Sequence, residues 1–155
     1  MAGHFLNSVT DQIADFLNGI GLPVAAGEIP DQTVLPGIHV AGGGLIVDEA
    51  RLAYPGDLLH EAGHLAVTPA AQRNSLEGNT GDSGGEEMAA LAWSYAAAMH
   101  LGLAPEVVFH AAGYRGGSRA IIENFSEGRY VGVPFLKWIG LTGEAYPEMI
   151  RWLRE

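Results

Sequence analysis

The sequence predicts one α+β domain over residues 1–155, mainly helical, with a small sheet near its start. Three observations carry that prediction. Two short β-type runs, residues 38–40 and 45–48, flank the glycine cluster 42–44, which reads as a hairpin. Beyond residue 57 the apolar residues recur mostly with helical spacing. The 22 glycines are scattered as turn and cap signals, which implies many short elements and no linker between domains.

The elements follow in order. Apolar side chains at 5, 6, 9, 13, 16 and 17 have the spacing of an amphipathic helix over 5–17, closed by Asn18-Gly19. Residues 21–36 read as loop with extended pieces, and the hairpin comes next. Pro55-Gly56-Asp57 makes a turn, with Asp57 as the cap of a helix over 58–67. That helix stops before Pro69, because the residue preceding a proline is pushed out of helical space. Residues 73–85 are polar and glycine-rich, a loop. The alanine-rich stretch 84–101 is a long buried helix, with Trp93, Tyr95 and Met99 in the core. Pro105 opens a helix to 112, and Ser118 caps one to 125, with Gly128 past its end. Short helices are expected over 134–139 and 146–153.

Composition narrows the function classes. The chain is 48% apolar and 17% charged, which is the balance of a folded domain. It has no cysteine, so disulfides and thiolate metal sites are excluded and a metal would need His, Asp or Glu. Absence of cysteine also fits a reducing, cytoplasmic compartment. The formal net charge is −10 with only eight Lys and Arg, so nucleic acid is not an expected partner. The N-terminus lacks the basic start and apolar run of a signal peptide. The most apolar long window, 88–104, is short for a membrane span and carries His100, so no membrane partner is expected.

Chemistry concentrates in DLLHEAGHLAVTP, residues 57–69, which contains H-E-x-x-H. On a helix, positions i and i+4 share a face, so His60 and His64 can aim both imidazoles at one ion. Zinc accepts imidazole nitrogen readily. Glu61 sits about 100° around the helix from His60, the placement of a general base for an activated water. The flanking residues are apolar or small, and three titratable groups there carry a desolvation cost unless paired or bound to metal. Gly63 costs about 0.8–1.0 kcal/mol of helix stability relative to alanine, which makes sense where something approaches the backbone closely.

A catalytic zinc site needs a third protein ligand. Extension to H-x-x-G-x-x-H is ruled out by Val67 and Ala70. A glutamate from the following helix remains, and the sequence offers Glu86 and Glu87. With HEAGH at 60–64, LIVD at 45–48 and EEMAA at 86–90, the chain resembles the gluzincin branch of the zincin metallopeptidases over residues 38–100. It looks most like the compact single-domain bacterial zincins, some of which cleave repressor proteins.

The resemblance implies a minimal zincin-like fold holding one zinc per chain through His60, His64 and Glu86 or Glu87. It implies that Glu61 activates water and that a peptide or protein is the substrate. Two features bear on the choice of glutamate. Ser83-Gly84-Gly85-Glu86 fits a capping box, which gives Glu86 a structural task and favours Glu87 as ligand. Alanines three and four residues after Glu86 favour close packing there instead. Gluzincins often carry an acidic or amide residue four positions after the ligand. Here those positions are Ala90 and Leu91, so a partner that orients a ligating histidine must come from elsewhere.

A zincin also needs a donor for the developing oxyanion. His110, Tyr114 and Arg115, in and beside a glycine-flanked loop, have the right chemistry. The strand at 45–48 is expected to offer an edge to an extended peptide. His39 is expected to have a cross-strand partner, and His100 to sit at a helix end favoured by the dipole. The alternative to a peptidase is a non-catalytic binding or regulatory module of the same fold with a retained or structural metal.

Overall fold

The computed structural model describes residues 5–78 and 84–155, with the side chain of Arg115 outside that set. The fold is α+β and mainly helical, with one three-stranded sheet.

Helix α1 spans Ser8–Ile20, later at both ends than the apolar spacing implied. Asn7 caps its start by accepting from the amides of Val9 and Thr10. Gly21 closes it in the left-handed conformation, φ 102°. Asn18 does not end the helix. Its side chain reaches forward to both the amide and the carbonyl of Val24. That tether organises β1, Val24–Ala26, which had been legible only as an extended piece.

Strands β2, Ile38–Ala41, and β3, Gly44–Val47, form the expected antiparallel hairpin. Gly42 and Gly43 turn it with φ of 58° and 80°, a pair of positive values that glycine adopts freely. β1 runs parallel to β3, giving the order β1-β3-β2. This corrects one expectation. β3 is the central strand, hydrogen-bonded on both sides, and has no edge to offer a peptide. The far side of β2 is itself engaged at Val40, whose carbonyl accepts from the Gly78 amide at 2.8 Å.

Helix α2, Asp57–Val67, and helix α4, Gly84–Leu101, form the centre of the domain. They run antiparallel. The Leu59 carbonyl meets Ser94, Gly63 meets Ala90, and His64 meets Glu87. Gly63 is what allows this. A Cβ there would stand 2.8 Å from the Ala90 carbonyl oxygen and 3.1 Å from Ser94 Oγ. The facing side of α4 is mostly alanine, and Ala89, Ala90, Ala92, Ala96, Ala97 and Ala98 are all buried. Trp93 is buried in the same helix, its indole N–H donating to the Trp152 carbonyl at 2.8 Å.

The C-terminal end of α2 is held by two arginines. Arg73, on the short helix α3 (Ala70–Arg73), donates to the carbonyls of Leu65 and Thr68. Arg154 supplies its amide to Ala66 and its guanidinium to Val67. These bonds satisfy carbonyls left open at a helix end and put positive charge at the negative pole of the dipole.

Three further expectations are corrected. The helix at Pro105 runs only over Pro105–Val108 (α5), because Phe109 turns into the core and His110 is drawn toward Asp57. Ser118 does not cap α6, Ser118–Ser126. Its hydroxyl donates to the His110 carbonyl at 2.6 Å instead. After α7, Val133–Trp138, residues 146–153 form no helix. Pro147 lacks an amide proton, the Glu148 carbonyl accepts from Thr142, and the amides of Ile150 and Arg151 donate to Leu141. The capping box at Ser83 lies outside the described residues. No helix among the described residues is long and apolar enough to cross a membrane.

Gly63→Ala is expected to lower stability by about 1–3 kcal/mol, despite alanine's better helix propensity, because the added methyl pushes α2 off α4. Urea unfolding of the two proteins checks this. A more stable alanine variant would mean that the helices do not pack through Gly63.

Candidate metal centre

α2 presents Asp57, His60, Glu61 and His64 to the interior or to the cleft beside it. The spacing 57, 60, 64 keeps the first, second and fourth on one stripe. α4 contributes Glu87 from its first turn. His60, His64 and Glu87 each bring a ligand atom into a group whose members all lie within 4.8 Å of one another. In a tetrahedral zinc shell such atoms stand roughly 3.3 Å apart. Two imidazoles and a carboxylate suit a divalent transition metal, so the group can hold a metal ion. Of the two glutamates, Glu87 joins the group and Glu86 does not.

The electrostatics follow from burial. His60 is lowered to about 4, first by burial and then by the neighbouring charge of His64, with Glu87 opposing. It is a neutral imidazole at neutral pH, the form that ligates. Burial also works against a charged His64, but the hydrogen bond and charge of Glu87, with Glu61 and Glu86 adding, carry it above its usual value. His64 Nε2 and Glu87 Oε2 are 2.9 Å apart. That bond holds Glu87 below the usual carboxylate range. Glu61 is 5% exposed, and burial pushes it up to about 7. His64 pulls it the other way, while Asp57 and Glu87 add to the rise.

A cleft of about 490 Å³ opens over His60 and Glu87. Val34, Leu35 and Pro36 line it together with Tyr54, His110 and Tyr114. His110 Nε2 lies 2.7 Å from Asp57 Oδ1, and the ring stacks on Tyr54 at 3.7 Å between centroids. Its Nδ1 is buried without a hydrogen-bond partner. Burial raises Asp57, partly offset by His110. Asp57 is therefore a partner of His110, not the helix cap that its position suggested. The Tyr114 hydroxyl is 3.0 Å from His60 Nδ1, and burial raises its pKa, so it keeps its proton.

The remaining histidines stand apart. His39 pairs with Glu77 at 3.0 Å, from the segment beside β2 and not from β3. His100 packs against Phe16 and Trp152, with centroids 5.4 Å apart in each case. Asp57 and Tyr54 were missed as members of the cleft. Asp57 was legible in principle, three residues before His60 on the same stripe. Nothing in the sequence marks Tyr54.

Glu61 sets a pH signature. Its folded value of about 7 lies above the ordinary 4.5, so the folded state binds the proton more tightly between those values. Stability therefore falls as pH rises through that window, and the loss is complete above about 7. In EDTA at pH 8, Glu61→Gln is expected to be more stable than wild type by on the order of 2–3 kcal/mol. The gain should vanish by about pH 4. Urea unfolding at the two pH values measures it, and an equal difference at both would contradict the assignment.

Comparison with protein-family models, curated proteins and solved structures finds no match for the chain.

Proposed function

We propose that the protein is a zinc-dependent metallopeptidase of the gluzincin-like zincin kind, holding one zinc per chain and working in the cytoplasm on a peptide or protein. One observation carries the reading. Two packed helices bring His60, His64 and Glu87 together, with the buried carboxyl of Glu61 one residue from the first histidine. Zinc, when bound, supplies Lewis acidity and makes water acidic enough to act as a nucleophile near neutral pH.

The chain's own groups do the rest. The open cleft admits an extended segment, and Val34, Leu35 and Pro36 offer it apolar contact. Glu61 takes a proton from water as the water oxygen bonds to the substrate carbonyl carbon. A carboxyl poised near 7 can hold that proton and then release it to the amine nitrogen as the C–N bond breaks. The carbonyl oxygen gains negative charge on the way and needs a donor. Of the two expected donors on the cleft wall, Tyr114 has the more available proton. His110 Nε2 faces Asp57 and its Nδ1 is enclosed, which suits His110 to fixing the wall.

The test is hydrolysis of a peptide library by the zinc-loaded protein. Glu61→Gln is expected to retain zinc and to lose about 10²–10⁴-fold in kcat, the usual contribution of a general base. Full activity in Glu61→Gln on a cleaved peptide would contradict the mechanism. A zinc-loaded wild type that cleaves nothing would favour a binding module.

A further inference from the structure

Tyr114 is the one non-glycine residue with a positive φ, 58°, among the described residues. In an L-residue that conformation crowds Cβ against the backbone. Glycines stand at 113, 116 and 117, yet the strained position carries a tyrosine. Its surroundings hold it there from both sides. Four residues earlier, His110 is tied to Asp57 of α2. Four residues later, Ser118 ties back to the His110 carbonyl. The tyrosine ring meets Phe109 and His60 edge-on, each at 5.3 Å between centroids. The outcome is one hydroxyl 3.0 Å from His60 Nδ1. Strain persists where the surrounding structure over-determines it, and it clusters at functional sites.

A neutral imidazole carries one proton, and its location decides which nitrogen can ligate. With the proton on Nε2, Tyr114 donates to Nδ1, and the ring has no free lone pair. With the proton on Nδ1, His60 donates to the tyrosine oxygen and Nε2 is free. A hydroxyl can accept and donate at once, so in the second arrangement its own hydrogen turns away from His60. Both residues line the cleft.

We propose that Tyr114 is a positioning residue that holds His60 in its ligating tautomer, accepting from Nδ1–H and presenting its own hydroxyl hydrogen to the cleft. It would be the orienting partner that Ala90 and Leu91 cannot provide. The proposal rests on His60 being a metal ligand. Removing the hydroxyl leaves a half-buried Nδ1–H without a partner in the metal-bound form, whereas the metal-free ring is free to take either tautomer.

The test is zinc affinity by chelator competition for wild type and Tyr114→Phe, with melting of both in EDTA. Tyr114→Phe is expected to bind zinc about 10–100-fold more weakly, as orienting partners usually do when lost. Its metal-free melting should change far less. Nitrogen-15 spectra of zinc-loaded wild type read the tautomer without relying on a variant, and should show the His60 proton on Nδ1. Equal zinc affinity in Tyr114→Phe, or a His60 proton on Nε2 in the loaded protein, overturns this proposal alone. A wild type that takes no zinc overturns the metal reading and this proposal with it.

Discussion

Helices α2 and α4 lie close together because residue 63 is glycine. With no side chain at that position, the Ala90 carbonyl can lie against the α2 backbone. Ala90 and Ser94 of α4 are the other half of the same fit. Because the helices run antiparallel and close together, the first turn of α4 arrives beside the third turn of α2. That is what sets Glu87 against His64, 23 residues earlier in the chain. The sheet, the arginine clamps at residues 73 and 154 and the Asp57–His110 tie all serve to fix α2 at its flanks or its ends.

Close packing also makes the electrostatics. Asp57, His60, Glu61 and His64 are all drawn from water, so each shifts in the direction that burial and its neighbours dictate. The two histidines, four residues apart, end with opposite shifts. His60 is lowered by burial and by the neighbouring His64, whereas His64 faces a carboxylate and gains proton affinity. Glu61 is raised by burial to about 7, the range of a base suited to neutral pH. His60, His64 and Glu87 stand close enough together to be able to hold a metal ion.

Much of this was legible in the chain. The i, i+4 spacing placed both histidines on one face, the alanine run announced a buried helix, and an unfavourable glycine between the histidines marked a close approach. The glycine pair between two β-type runs announced the hairpin. Other features are set only by tertiary structure. Glu86 and Glu87 differ by about 100° of helix rotation, and packing against α2 decides which faces the histidines. β1 has three residues and depends on the side chain of Asn18. Residues 146–153 have an apolar pattern, but their backbone groups are spent on Leu141 and Thr142. The left-handed Tyr114 is held partly by contacts with α2, through His60 and through the Asp57–His110 bond, which its own stretch of sequence does not show.

We propose that α2 and α4 build a metal centre. Elemental analysis of the protein purified without added metal, beside a His64→Ala control, tests it most directly. One zinc per chain is expected in the wild type, and its loss in the control. A wild type without metal, even after zinc is supplied, would contradict it.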